Sequence, residues 1–204
     1  MRILIALSVV LSLTTGCSNI DRLIYAGWDR DSWQQPDRVL RELGLREGDR
    51  VADLGAGGGY FTFRLAGTVG RTGRVYAVDV DQGMVAYLAA AAAKQGISQV
   101  ETVLAAYDNP RLPEDGVDLI FVCDTYHHLA ERTAYFERAA RYLRPGGRVA
   151  VIDYNGNGWF AKHFGHYTPR DVILQEMQSA GYRLERSYDF IDRQSFLVFG
   201  RLVK

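Results

Sequence analysis

The chain has 204 residues, 48% of them apolar and 24% charged, enough for one α/β domain with a buried core and too few for two. Lys and Arg number 24, as do Asp and Glu, for a formal net charge of zero; this balance argues against a nucleic-acid partner, which needs excess cations for its phosphates. Two cysteines, Cys17 and Cys123, are too few for a disulfide framework.

The first sixteen residues read as a leader rather than as part of a fold. Arg2 precedes an apolar stretch over residues 3–13, then Thr14, Thr15, Gly16 and Cys17. A membrane-crossing helix needs about 20 apolar residues, so this short core fits a secretory signal. With Cys17 next to Gly16 it resembles a bacterial lipoprotein signal, although Thr14 departs from the leucine usual at that place. The resemblance implies a domain held at the cell envelope only by a lipid on Cys17. A misassigned start codon before a cytoplasmic protein is the competing reading.

Residues 17–36 form an N-terminal arm carrying Tyr25, Trp28 and Trp33 without a clear period. Residues 37–204 form the domain. Val39, Leu40 and Leu43 sit at helical spacing before Gly44 and Gly48. A short strand is expected over 51–54, a glycine loop, and a helix over about 60–66. A strand follows over 74–80, then an alanine-rich helix, Gln82–Gln95, capped by Asp81 and stopped by Gly96. Val100–Leu104 and Val117–Cys123 read as strands; Cys123 there reads as a small buried hydrophobe rather than a reactive thiol. Tyr135, Ala139 and Tyr142 mark one face of a helix within 129–143, which the turn Arg144-Pro145-Gly146-Gly147 ends before a strand over 148–154. Thr168-Pro169-Arg170-Asp171 predicts a helix start with Thr168 as its cap and Pro169 in its first position. Two strands, 182–190 and 195–202, then predict an antiparallel hairpin. Strands alternating with helices imply a parallel sheet covered on both faces.

The most informative stretch is Asp53-Leu54-Gly55-Ala56-Gly57-Gly58-Gly59-Tyr60. It leaves a strand and opens a helix, the place where open α/β sheets bind ligands. Glycines let the backbone turn tightly and approach a ligand, and the helix start offers unpaired N–H groups to an anion. A dinucleotide fingerprint, G-x-G-x-x-G, fails because Tyr60 stands where the third glycine belongs. The spacing is D-x-G-x-G-x-G.

That motif resembles the first motif of the class I S-adenosylmethionine-dependent methyltransferases. Asp79 ends the second strand 20 residues after Gly59, where the family places an acid on the ribose hydroxyls. Asp108 opens Asp108-Asn109-Pro110-Arg111-Leu112-Pro113, which is similar to the family's D-A-x-x-L-P, whose acid faces the adenine amino group. Leu143-Arg144-Pro145-Gly146-Gly147-Arg148 is similar to the turn before the family's fifth strand. The resemblance implies a Rossmann-like sandwich with a seven-stranded, mostly parallel sheet closed by the C-terminal antiparallel hairpin. It implies S-adenosylmethionine as cofactor, with Asp53, Gly55, Gly57, Gly59, Asp79 and Asp108 binding it. The methionine carboxylate would lie on loop 55–59, with Asp53 near the ammonium group.

Candidate catalytic residues follow the fourth strand in Asp124-Thr125-Tyr126-His127-His128. Asp124 there suits orienting an acceptor or pairing with His127 or His128. The segment departs from the Asn/Asp-Pro-Pro-Tyr loop of amino-directed nucleic-acid methyltransferases, which favours a small-molecule or other non-nucleic-acid acceptor. His163 and His166 lie three apart in the loop over 155–167; with His127 and His128 they offer ligands, but no cysteine or clear acid stands at ligand spacing, so no metal is expected. That loop, with Tyr25, Trp28 and Trp33, suits walls of an acceptor pocket, or an arm packed on the domain. Because S-adenosylmethionine is made in the cytoplasm, an exported chain leaves open a non-catalytic envelope lipoprotein using the fold as a ligand-binding module.

Overall fold

The computed structural model describes residues 29–114, 116–157 and 166–202; the expected leader, Cys17, Tyr25, Trp28 and His163 lie outside them. Arg30–Gln34 (α1) and Pro36–Leu43 (α2) lead into β1, Arg50–Leu54. Pro36 opens α2, where its missing N–H costs no bond, and Gly44 closes it in the left-handed region. Then come α3 (Thr62–Val69), β2 (Arg74–Asp79), α4 (Gln82–Gln95), β3 (Val100–Leu104) and β4 (Val117–Cys123). A 3-10 turn at Tyr126–His128 precedes α5 (Arg132–Ala139), β5 (Leu143–Tyr154), α6 (Arg170–Ser179), β6 (Tyr182–Tyr188) and β7 (Gln194–Arg201).

The seven strands run in the order β3-β2-β1-β4-β5-β7-β6. The first five are parallel to their neighbours, and β7 enters antiparallel between β5 and β6. This is the fold class expected from the sequence. Strand order reverses at β1 and β4, so their C-terminal ends open a crevice, the ligand site of such sheets.

Alternation along each strand sends side chains to two cores. Ala52, Leu54, Ile120, Val122, Val149 and Val151 pack beneath Tyr135, Phe136, Ala139, Ile173 and Met177 on the α5–α6 face. Val51, Leu119, Phe121, Cys123, Ala150 and Ile152 pack against Val39, Leu43, Phe61, Leu65 and Val69 on the α2–α3 face. Covering both faces is why residues 119–123 of β4 and 149–152 of β5 are continuous apolar runs. Among the described residues, no helix is long and apolar enough to cross a membrane.

Three local expectations shift. The turn 144–147 lies inside β5 rather than before it, because Leu143 already pairs with Val117 and the register slips before Leu119 meets Arg148. The helix after β1 starts at Thr62, since the glycine turns carry the chain beyond Tyr60 before helical bonding begins. Thr168 does not cap α6: Pro169 holds the cap position, and the Thr168 hydroxyl is buried without a hydrogen-bond partner among the described residues. Its backbone N–H instead donates to Tyr154 O at 3.2 Å, tying the segment to the end of β5.

Candidate cofactor and acceptor site

The glycine loop is fastened to β2: the N–H groups of Gly55 and Ala56 donate to Val78 O at 2.8 and 3.0 Å. Its glycines are not equivalent, though Gly55, Gly57 and Gly59 all have positive φ. A Cβ on Gly55 would sit 2.1 Å from Thr125 Oγ1, and one on Gly59 2.6 Å from Phe63 and 2.7 Å from Leu88. A Cβ on Gly57 or Gly58 would meet nothing within 4 Å. Gly55 and Gly59 therefore serve the packing of the fold, while Gly57 and Gly58 face open space where a ligand can approach.

Asp79, at the end of β2, accepts the Gly57 N–H on Oδ2 at 2.9 Å and the Asp81 N–H on Oδ1 at 3.0 Å. Asp81 in turn caps α4 through the N–H groups of Gly83 and Met84. One carboxylate thus ties the glycine loop to the start of α4. Asp53 is 3% exposed and accepts the Thr62 hydroxyl at 2.6 Å. Burial pushes its pKa up to about 6, against the Thr62 hydrogen bond and the Arg30 charge and with the help of Asp79. Asp108 stands apart from this group. It lies at the tip of the tight turn closed by Ala106 and Asn109, exposed; its carbonyl accepts from Arg138 Nε at 3.0 Å, and its carboxylate makes no hydrogen bond within the described residues.

At the end of β4, Asp124 has φ +56 and both oxygens engaged. Arg30 Nη2 donates to Oδ2 at 2.7 Å and Gln194 Nε2 donates to Oδ1. Gln194 Oε1 accepts from the buried Gln34 at 2.8 Å, and Gln34 also donates to Cys123 Sγ. Burial, opposed by Arg30, raises the Asp124 pKa, and burial does the same to the Cys123 thiol. The Arg30 guanidinium also lies 4.1 Å from the Tyr60 ring centre, a cation–π contact. Cys123 is a buried free thiol. Its Sγ nonetheless serves as an acceptor in this network.

The expected pairing of Asp124 with a histidine is not what the structure shows. His127 Nδ1 bonds Asp153 Oδ1 at 2.7 Å, because strand alternation puts Asp153 on the α5–α6 face while Asp124 is drawn to Arg30. His128 stacks beside His127 at 4.1 Å between ring centres, and His166 closes on both. Burial, with His127 and His166 adding repulsion, lowers the His128 pKa. Trp33 leans on Tyr154 at 6.2 Å. Sequence reasoning missed Arg30, Gln34, Gln194 and Asp153. Only Asp153 left a signal, an acid directly after the apolar run of residues 149–152.

A seven-stranded sheet in this order, with a D-x-G-x-G-x-G loop at the end of β1 and an acid at the end of β2, is the architecture of a class I methyltransferase. Residues 51–147 match the family described as a methyltransferase domain. A solved S-adenosylmethionine-dependent methyltransferase from Aquifex aeolicus superposes with a TM-score of 0.80 at 27% identity, covering 87% of this chain and 95% of that one. Phosphoethanolamine N-methyltransferase 1 of Triticum aestivum is 27% identical over 175 residues, 84% of this chain and 34% of that protein. Arsenite methyltransferase of Halobacterium salinarum is 32% identical over 109 residues, 53% of this chain and 28% of that protein. The C-methyltransferase UbiE of Ectopseudomonas mendocina is 27% identical over 128 residues, 61% of this chain and 50% of that protein. The chain spans about a third or less of the length of the first two of these curated relatives and half of the third.

Proposed function

We propose that the chain is an S-adenosylmethionine-dependent methyltransferase acting on a small-molecule or other non-nucleic-acid acceptor. The observation that carries this reading is the open approach to Gly57, whose N–H is held by the Asp79 carboxylate at the sheet's reversal point. The residues present fit the cofactor: a loop with room for a backbone-hugging ligand, an acid at the end of β2, and the buried Asp53 behind.

Bound there, the cofactor supplies the activated methyl group. The chain's own contribution is alignment and exclusion of water, the main source of rate in a direct displacement. Asp79 would take the ribose hydroxyls, Asp53 the ammonium group, and Asp108 the adenine amino group. Asp124, His127 and His128 stand at the acceptor end. Arg30 and Gln194 hold Asp124 in place, a positioning role. The relatives are named for phosphoethanolamine, quinone and arsenite chemistry, which supports a small acceptor without choosing its atom. The resemblance of residues 1–17 to a lipoprotein signal supports a lipid on Cys17 and a domain held at the cell envelope; a misassigned start would leave it in the cytoplasm.

Calorimetric titration of S-adenosylmethionine into the full chain tests the reading, with Asp79→Ala and Gly57→Ala as controls. Micromolar binding weakened by both substitutions is expected. Absence of binding to a folded preparation would overturn it and favour the envelope binding module.

A further inference from the structure

We propose that His127, His128 and His166 form a site for one transition-metal cation of the zinc class, with Asp153 orienting His127 from behind. The three side chains offer one ligand nitrogen each, all within 4.8 Å of one another. A tetrahedral zinc site with bonds near 2.0–2.1 Å sets its nitrogens about 3.3 Å apart. His128 and His166 are both exposed, so rotation of their side chains can close that gap.

His127 is the fixed ligand. Its side chain is 7% exposed, and its Nδ1 faces the fully buried Asp153 carboxylate at 2.7 Å. A metal on Nε2 requires the ring proton on Nδ1, where the Asp153 carboxylate stands placed to accept it. Carboxylate, imidazole and metal in line is the usual way a protein orients a histidine ligand. Asp153 supplies the second, independent observation. Its Oδ2 is buried with no hydrogen-bond partner among the described residues. A lone imidazole is meagre compensation for a buried carboxylate, and a cation beyond that imidazole provides the rest.

His166 reaches this site because the Thr168 N–H holds its segment to Tyr154 O at the end of β5. Three neutral imidazoles without a carboxylate ligand select Zn2+, Co2+, Ni2+ or Cu2+ over Mg2+ or Ca2+, which need oxygen. Three protein ligands with an exposed side leave a fourth position for water or another lone-pair donor. The sequence expectation of no metal follows from the lack of a cysteine or clear acid at ligand spacing. Here the acid stands behind the ligand and is brought there by the sheet.

The test uses the metal alone and is independent of S-adenosylmethionine. The full chain, free of any polyhistidine tag and stripped with chelator, is titrated with Co2+ while the visible d–d bands are followed; Zn2+ is then added as competitor. One equivalent of Co2+ with a four-coordinate spectrum, displaced by Zn2+, is expected. His128→Gln and His166→Gln change exposed residues, so melting curves should confirm an intact fold, and each should weaken binding by roughly 10-fold or more. Asp153→Asn should weaken it by roughly 10–100-fold. No saturable binding, or binding with unchanged affinity in both histidine variants, would overturn the proposal.

Discussion

The Arg30 guanidinium, in the first described helix, bonds Asp124 at 2.7 Å across 94 positions of sequence. The two side chains are 12% and 20% exposed, so the pair is shielded from water and from salt far more than a surface bridge. It links the N-terminal segment to the acceptor end of the sheet. Replacing Arg30 leaves a mostly buried carboxylate without its guanidinium partner. Arg30→Met should lower unfolding free energy by about 2 kcal/mol. Asp124→Asn in the same chain should restore part of that loss. Urea unfolding of both single variants and the double variant checks this; strictly additive effects would show that the pair is not coupled.

Asp53 predicts a distinctive pH dependence. Its folded pKa is raised to about 6, whereas an unfolded aspartate titrates near about 3.9. Between those values the folded state binds more protons than the unfolded one, so this group's contribution to stability falls as pH rises through the window of about 4 to 6. Two units correspond to about 3 kcal/mol. Asp53→Asn removes the titration. The unfolding free energy of the variant relative to the parent should therefore rise by that amount from pH 4 to pH 7. A difference that stays flat with pH would contradict the assignment.

The glycine loop predicts a separation of stability from binding. Gly55→Ala and Gly59→Ala add strain at positive φ, about 1–2 kcal/mol, and force Cβ into Thr125 or into Phe63 and Leu88, another 1–3 kcal/mol or about that. Gly57→Ala has only the backbone strain. Thermal melts should rank Gly57→Ala as the mildest of the three. Calorimetry should nevertheless show that it loses S-adenosylmethionine binding while remaining folded.

Glu176 ties α6 to the segment after β4, accepting from the Tyr126 hydroxyl at 2.9 Å and from Arg132 at 2.7 and 2.8 Å. Burial tends to raise its pKa, but these hydrogen bonds and the Arg132 charge outweigh it and the net shift is downward. Its stabilisation is thus present above the unfolded glutamate pKa and lost as pH falls through the lower folded value. Glu176→Gln should cost about 1–2 kcal/mol near neutral pH, with the cost shrinking in acid. Denaturant midpoints measured across pH 3–7 read the effect.

Much of the fold was legible because its signals are local. The strands Val100–Leu104 and Val117–Cys123 and the alanine-rich helix Gln82–Gln95 appear with the expected limits. Asp81 bounds the last of these through its side-chain cap on the Gly83 and Met84 N–H groups, and Gly96 through its left-handed backbone. The burial of Tyr135, Ala139 and Tyr142 follows from helical spacing. The five-residue α1 was not legible, since it spans too few turns to show a period.

By itself the sequence determined the alternation of strands and helices, the antiparallel hairpin, and the loop and acid at Gly57 and Asp79, since these depend on periodicity and short spacing along the chain. Only the tertiary structure decided the charge partners. It gave Asp124 to Arg30 and His127 to Asp153, and it carried His166 to the histidine pair. Those choices depend on which face of the sheet a side chain leaves from and which distant segment packs there. The strand pattern shows the face. Long-range packing alone supplies the neighbour.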